Sequence, residues 1–136
     1  MKTFVDTGAW YAVADTADQF HSIAVKHFNC LLSNKVLLYT TNLVIHETVM
    51  LLSRKVSKSA AILFLDTIYN DENVSIVENQ KTIEKRGFRI FKKYDDQDFS
   101  ITDCVSFVVL KDLKIKRVFS FDRHFSIMKF TLEPLM

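Results

Sequence analysis

Short apolar-rich runs at Lys2–Val5, 36–40, Val74–Val77 and 117–121 recur along the chain, and the stretches between them carry apolar residues three and four apart. Runs of this kind read as buried strands and the intervening spacing reads as amphipathic helices. Strands that alternate with helices pair in parallel, because each crossover carries the chain back along the sheet, and the helices then cover both faces. The expected architecture is α/β, a three-layer α/β/α sandwich built on a parallel sheet. In such folds ligands bind outside the C-terminal ends of the strands, near the point where strand order reverses.

The helical segments follow from periodicity and caps. A brief helix is expected over 9–14, and a longer one over 18–33 with Phe20, Ile23, Ala24, His27, Phe28 and Leu31 on one side. Thr41 and Asn42 supply an N-cap for a helix to about residue 53, and Ser57 caps another with Ala61, Leu65, Ile68 and Tyr69 inward. Asn79 opens a helix to about residue 94 with Ile83, Gly87, Ile90, Phe91 and Tyr94 inward, and Ser100 opens the next, to about residue 113. A short helix over 122–128 and an edge strand over 129–132 complete the reading.

Composition narrows the function classes. The 136 residues suit one domain, 1–136, and 49% hydrophobic residues suffice for one core without a disulfide or zinc staple. With only two glycines, Gly8 and Gly87, the chain has no glycine-rich loop to cradle phosphate, which excludes P-loops and dinucleotide fingerprints. Cys30 and Cys104 lie far apart without metal-ligand spacing and read as buried free thiols in a reducing compartment. The N-terminus briefly imitates a signal peptide, but Asp6 interrupts its apolar run, and no run approaches the roughly 18 apolar residues of a membrane helix. A soluble, cytoplasmic protein without membrane association is expected.

Four carboxylates fall where such a fold binds ligands. Asp6 ends the first strand, Glu47 lies one turn into the helix after the second, Asp103 begins the helix opened by Ser100, and Asp122 ends the fourth strand. Asp6 and Asp122 could simply cap the helices that follow them, and Ser100-x-x-Asp103 has the spacing of a capping box. Glu47 shares its helix face with Leu43, Met50 and Leu51, so it is expected to point toward the core, where either Arg54 or a cation must compensate it. Carboxylates gathered at one sheet edge repel unless protonated or neutralised. A hard cation such as Mg²⁺ or Mn²⁺ answers this, and it also lowers the pKa of water and clamps phosphate oxygens, as phosphodiester hydrolysis requires. The four histidines show neither H-E-x-x-H spacing nor an evident triad partner, and His27 reads as a satisfied core histidine.

At these residues the chain resembles the PIN-domain family, most closely the VapC-type toxins of prokaryotic toxin–antitoxin pairs. Phe4-Val5-Asp6-Thr7-Gly8 with Ala9 and Trp10 resembles the family's opening strand and first acid, and Leu43 to Glu47 with the residues to Leu52 its second acidic block. The stretch from Asp98 to Phe107 resembles the third block, and Phe119-Ser120-Phe121-Asp122-Arg123-His124-Phe125 the last. Four blocks in order cover essentially the whole chain.

The resemblance implies five parallel strands in the order 3-2-1-4-5 and a metal-dependent endoribonuclease that leaves 5′-phosphate and 3′-hydroxyl ends. It implies that Asp6, Glu47, Asp103 and Asp122 surround Mg²⁺ or Mn²⁺. Asp6 and Asp103 would be direct ligands, and Glu47 and Asp122 would act through water or at a second ion. Thr7 and Ser120 match supporting hydroxyls, Asp98 an accessory acid, and Cys104 stands where many relatives have alanine. A homodimer and a small antitoxin that covers the site are implied as well. A phospho-receiver module also gathers acids at this edge, but it needs an acidic pair after the first strand, an Asp after the third and a Lys after the fifth. Here one acid follows the first, Glu78 follows the third and Pro134 lies after the fifth. A PIN nuclease of RNA processing or of structured DNA, and a PIN-like fold kept only for binding, remain as alternatives.

The formal charge of +2 then reads differently. Setting the four site acids aside from the 16 leaves 12 against 18 bases, a surface surplus of six. Lys81, Lys85, Arg89 and Lys93, spaced four apart with Arg86 and Lys92 beside them, form a stripe that can follow an RNA backbone or serve as a plain solvated face. The 12 phenylalanines exceed what a small core needs, and Phe88 or Phe64 is expected at an interface.

Overall fold

The computed structural model describes residues 1–135. In chain order the elements are β1 (Lys2–Val5), α1 (Thr7–Ala14), α2 (His21–Ser33), β2 (Leu37–Thr41), α3 (Asn42–Lys55), α4 (Lys58–Tyr69), β3 (Val74–Val77), α5 (Lys81–Lys93), α6 (Ile101–Asp112), β4 (Arg117–Phe119), α7 (His124–Ile127) and β5 (Thr131–Glu133). The strands form one sheet in the order β3-β2-β1-β4-β5, every pairing parallel. β1 is the central strand and is buried from Thr3 to Val5, so its side chains meet protein on both faces. Strand order reverses on either side of it, which puts its C-terminal end at the crevice where ligands bind in such sheets.

The helices form two groups. α1 packs on α2 and α3, and α3 on α4, while α5 packs on α6 and α6 on α7. Trp10 anchors the first group: Phe28 and Phe64 meet its indole edge-on, and its Nε1 donates to Thr40 Oγ1 at 3.3 Å. In the second group α6 is buried at every residue from Asp103 to Leu110, because sheet and neighbouring helices enclose it. Gly87 permits the crossing of α5 over α6, since a Cβ there would stand 3.0 Å from Val105 Cγ2 and 3.3 Å from the Val105 amide nitrogen.

Caps place the helix starts as expected at three positions. Thr41 Oγ1 accepts from the Val44 amide, Ser57 Oγ from that of Ala60, and Ser100 with Asp103 closes a capping box. Elsewhere the boundaries differ. α2 begins at His21, because the Asp18 carboxylate accepts from the Phe20 amide and forms a turn ahead of the helix. α5 begins at Lys81, because the Asn79 amide donates to Asn42 Oδ1 instead of Asn79 capping a helix. β4 stops at Phe119, since the Ser120 hydroxyl accepts from the Asp122 amide and turns the chain. Lys129 takes a φ of 68°, ending the turn of α7 and moving β5 to Thr131–Glu133. Tyr69 and Phe91, expected inward, are exposed, whereas Phe64 is buried against Trp10; Phe88 is exposed as expected. Cys30, expected to be buried, is exposed, and Cys104 is buried with its thiol pushed up to about 11 by burial and by the adjacent Asp103. No helix among the described residues is long and apolar enough to cross a membrane.

Candidate active site

The central strand delivers the first acid. The Asp6 amide donates to Phe119 O at 3.1 Å, carrying the β1–β4 ladder one residue past the strand. Asp6 then caps α1 with its backbone carbonyl, which accepts from the Ala9 and Trp10 amides. Its side chain makes no cap bond, so the carboxylate is spared for other work. Just past the end of the neighbouring β4, Ser120 Oγ donates to Asp6 Oδ2 at 3.1 Å and accepts from the Asp122 amide at 3.0 Å, tying the two acids to one hydroxyl. Asp122 Oδ1 accepts from the His124 amide at 2.9 Å.

Asp103 arrives from α6. Its Oδ2 accepts from the Ser100 amide at 3.1 Å, and His124 Nδ1 lies 2.8 Å from the same oxygen and 3.3 Å from Asp122 Oδ2. Asp103, Asp122 and His124 each offer a ligand atom, all within 4.8 Å of one another. The capping explanation holds for Asp103, whereas Asp122 stands one residue before Arg123, the N-cap of α7, and its Oδ1 closes a turn on the His124 amide; both still face the same centre as Asp6.

Electrostatics record the crowding. Burial pushes the Asp6 carboxyl up to about 7, and the charges of Asp103 and Asp122 push the same way against the Thr7 amide and the Ser120 hydroxyl. The Asp103 carboxyl is also raised, chiefly by burial, with the Ser100 amide and His124 opposing. Thr7 Oγ1 is buried beside this cluster without a hydrogen-bond partner. An oxygen-rich donor set with an unanswered negative charge and an orphaned hydroxyl fits a hard divalent cation with its waters.

These groups form the floor of an open cleft of about 1070 Å³. Seven carboxylates line it against one arginine, Arg123, so an anionic substrate is repelled unless cations stand between. Glu47 borders the cleft half-buried and makes no ion pair among the described residues, with Arg54 or any other base. The core-facing side of α3 is Val44, Ile45, Thr48 and Leu52, one position away from the face expected, which puts Glu47 at the cleft wall. Asp98 is exposed at the rim. Lys81, Lys85, Arg89 and Lys93 are exposed along α5 and none lines the cleft, although Tyr94, the next residue, packs on the cleft-lining Phe99. Arg86 is taken up by a bidentate pair with Asp112 at 2.7 Å.

Sequence reasoning passed over His124, although the available signal was a histidine two residues after a strand-end acid at the ligand-binding edge. It also passed over Glu133, buried at the end of β5, where His27 Nε2 lies 3.4 Å from Oε1.

The sequence model of a family described as PIN domain matches residues 3–130. The 23S rRNA-specific endonuclease VapC20 of Mycobacterium tuberculosis is 28% identical over 127 residues, covering 90% of this chain and 91% of that protein. A VapC ribonuclease of Archaeoglobus fulgidus is 30% identical over 129 residues, 93% of this chain and 81% of its own. The crystal structure of the M. tuberculosis VapC20, described as a sarcin-ricin loop cleaving toxin, matches with a TM-score of 0.86 and 26% identity over 95% of this chain and 96% of that one.

Proposed function

The chain belongs to the PIN-domain family, and on that premise we propose that it is a divalent-metal-dependent endoribonuclease of the VapC kind, the toxin of a type II toxin–antitoxin pair. The observation that carries this reading is Asp6, a buried carboxylate held against Asp103 and Asp122 and itself offset only by the Ser120 hydroxyl and the Thr7 amide. In this reading Asp6 and Asp103 hold Mg²⁺ or Mn²⁺ directly, Glu47 and Asp122 act through water or at a second ion, and Asp98 is an accessory acid at the rim.

A cation held there supplies Lewis acidity toward water and toward a phosphate oxygen, the two demands of phosphodiester hydrolysis. The chain's own residues prepare the rest. Ser120 orients Asp6 through its hydroxyl. Thr7 keeps a free hydroxyl that water or phosphate can engage. Asp6 holds a proton near neutrality in the metal-free protein, so filling the site releases it.

Lys81, Lys85, Arg89 and Lys93 supply the phosphate contacts that the acidic cleft lacks. Residues 1–136 act as one domain in the cytoplasm. Exposed Met50 on α3 and Ile62, Leu63 and Tyr69 on α4 support protein partners, an antitoxin and a second copy of the chain.

The test uses purified wild type and Asp6→Ala with Mg²⁺, Mn²⁺ or chelator. 23S rRNA is the first substrate to try, given the activity named for the M. tuberculosis relative. New RNA 5′ ends are expected with wild type and metal only. Undiminished cleavage by a folded Asp6→Ala protein overturns the assignment. Growth arrest on expression of wild type alone supports the toxin role, whereas cleavage without arrest points to RNA processing outside toxin pairs.

A further inference from the structure

Two of the acids are brought together by one residue. His124 reaches Asp122 with its backbone amide, at 2.9 Å from Oδ1, and reaches Asp103 with its ring, Nδ1 lying 2.8 Å from Oδ2. An ionised carboxylate only accepts hydrogen bonds, so the ring carries its proton on Nδ1. Asp103 Oδ2 then takes two donors, the Ser100 amide at 3.1 Å and His124, which leaves Oδ1 as the oxygen free to bind. The imidazole is itself held: Phe99 meets it edge-on with centroids 5.2 Å apart, and the ring is largely buried. Asp122 Oδ2 lies 3.3 Å from the same Nδ1, so a single proton stands between two carboxylates that otherwise repel.

We propose that His124 is the positioning residue of this centre: its amide and ring clamp Asp122 and Asp103 in the arrangement that receives the cation, and the imidazole does not bind the ion. This rests on the metal-dependent reading above and adds a residue to it. Ligation through Nδ1 would give up the bond that orients Asp103, whereas a donor behind a metal-binding carboxylate fixes its rotamer and its free lone pairs. Asparagine can place an N–H donor where Nδ1 stands; alanine cannot.

Manganese binding to wild type, His124→Ala and His124→Asn is followed by loss of the free Mn²⁺ electron paramagnetic resonance signal, with thermal midpoints of the metal-free proteins recorded alongside. His124→Ala is expected to weaken Mn²⁺ binding about 10- to 100-fold, and His124→Asn to recover most of it. Cleavage at saturating Mn²⁺ should fall less than the affinity does. Wild-type affinity in His124→Ala overturns the proposal, as does an asparagine variant as weak as alanine. Nitrogen coupling to bound Mn²⁺ in pulsed spectra of wild type, lost in His124→Ala, also overturns it, because the ring is then a ligand. If His124→Ala does not fold, the asparagine variant and the nitrogen coupling decide. Wild type that binds no Mn²⁺ removes the metal-dependent reading itself, whereas tight binding that is indifferent to residue 124 removes only the clamp.

Discussion

Two buried carboxylates end neighbouring parts of the same sheet, and their surroundings are opposite. Glu133 on β5 and Asp6 after β1 are equally enclosed, each 5% exposed. Glu133 is answered on both oxygens: Thr3 Oγ1 donates to Oε1 at 2.9 Å and Arg117 Nε to Oε2 at 3.0 Å, with His27 3.4 Å away. Asp6 receives the Ser120 hydroxyl and otherwise faces Asp103 and Asp122. Burial of a carboxylate therefore does not mark function in this molecule. What separates the two places is whether the fold supplies the compensating charge or leaves it to a ligand.

Substitution at Asp6 sharpens this contrast most. Asp6→Asn is expected to reduce RNA cleavage by about a thousandfold, the scale of several kcal/mol of transition-state stabilisation. The same change should stabilise the metal-free protein, because it removes a charge the fold does not answer. The pH dependence fixes the sign. With the folded carboxyl up at about 7 and the unfolded one at 3.8, the native state binds the extra proton between those values. Metal-free stability should fall as pH rises from about 4 to 7 and level off above, a swing on the order of a few kcal/mol. Thermal melts in chelator across that range should show the slope in wild type and lose the Asp6 contribution to it in Asp6→Asn. Equal slopes would place the proton elsewhere.

Glu133→Ala tests the other half. It strands Thr3 and removes the partner of the half-exposed Arg117, and should cost about 1–3 kcal/mol of stability. Mn²⁺ affinity and cleavage of the folded variant should be unchanged, in contrast to Asp6; a loss of Mn²⁺ binding would erase the distinction between the two sites. The smallest effect is expected on α5. Charge reversal at Lys85 and Arg89 should weaken RNA binding several-fold and lower the slope of log affinity on log salt by about 0.7 for each RNA phosphate that is no longer neutralised. An unchanged salt slope would leave the stripe a solvated helix face.

Much of this layout was legible in the chain. Strand ends and caps have local causes, so Asp6, Asp103 and Asp122 could be located from the runs and capping residues beside them. Glu47 was found at the right edge but turned the wrong way, because a helix with apolar residues on more than one side leaves the direction of its buried face to its neighbours. Phe64 and Tyr69 exchanged their expected places for the same reason, with Trp10 deciding which aromatic is covered. His124 and Glu133 were missed because their meaning lies in pairings: Asp103 meets His124, and Thr3 meets Glu133 from the opposite end of the chain.

What the sequence determined by itself is periodic and local: short apolar runs, helix spacing, caps, and acids placed immediately after strands. These depend on neighbours within a turn or a strand and survive without knowledge of the fold. Tertiary structure decided which buried carboxylate is answered and which is not. Compensation acts between residues remote in the chain, and its strength falls off over a few ångströms, so only the packed sheet could place Arg117 and Thr3 on Glu133 and leave Asp6 to Asp103 and Asp122.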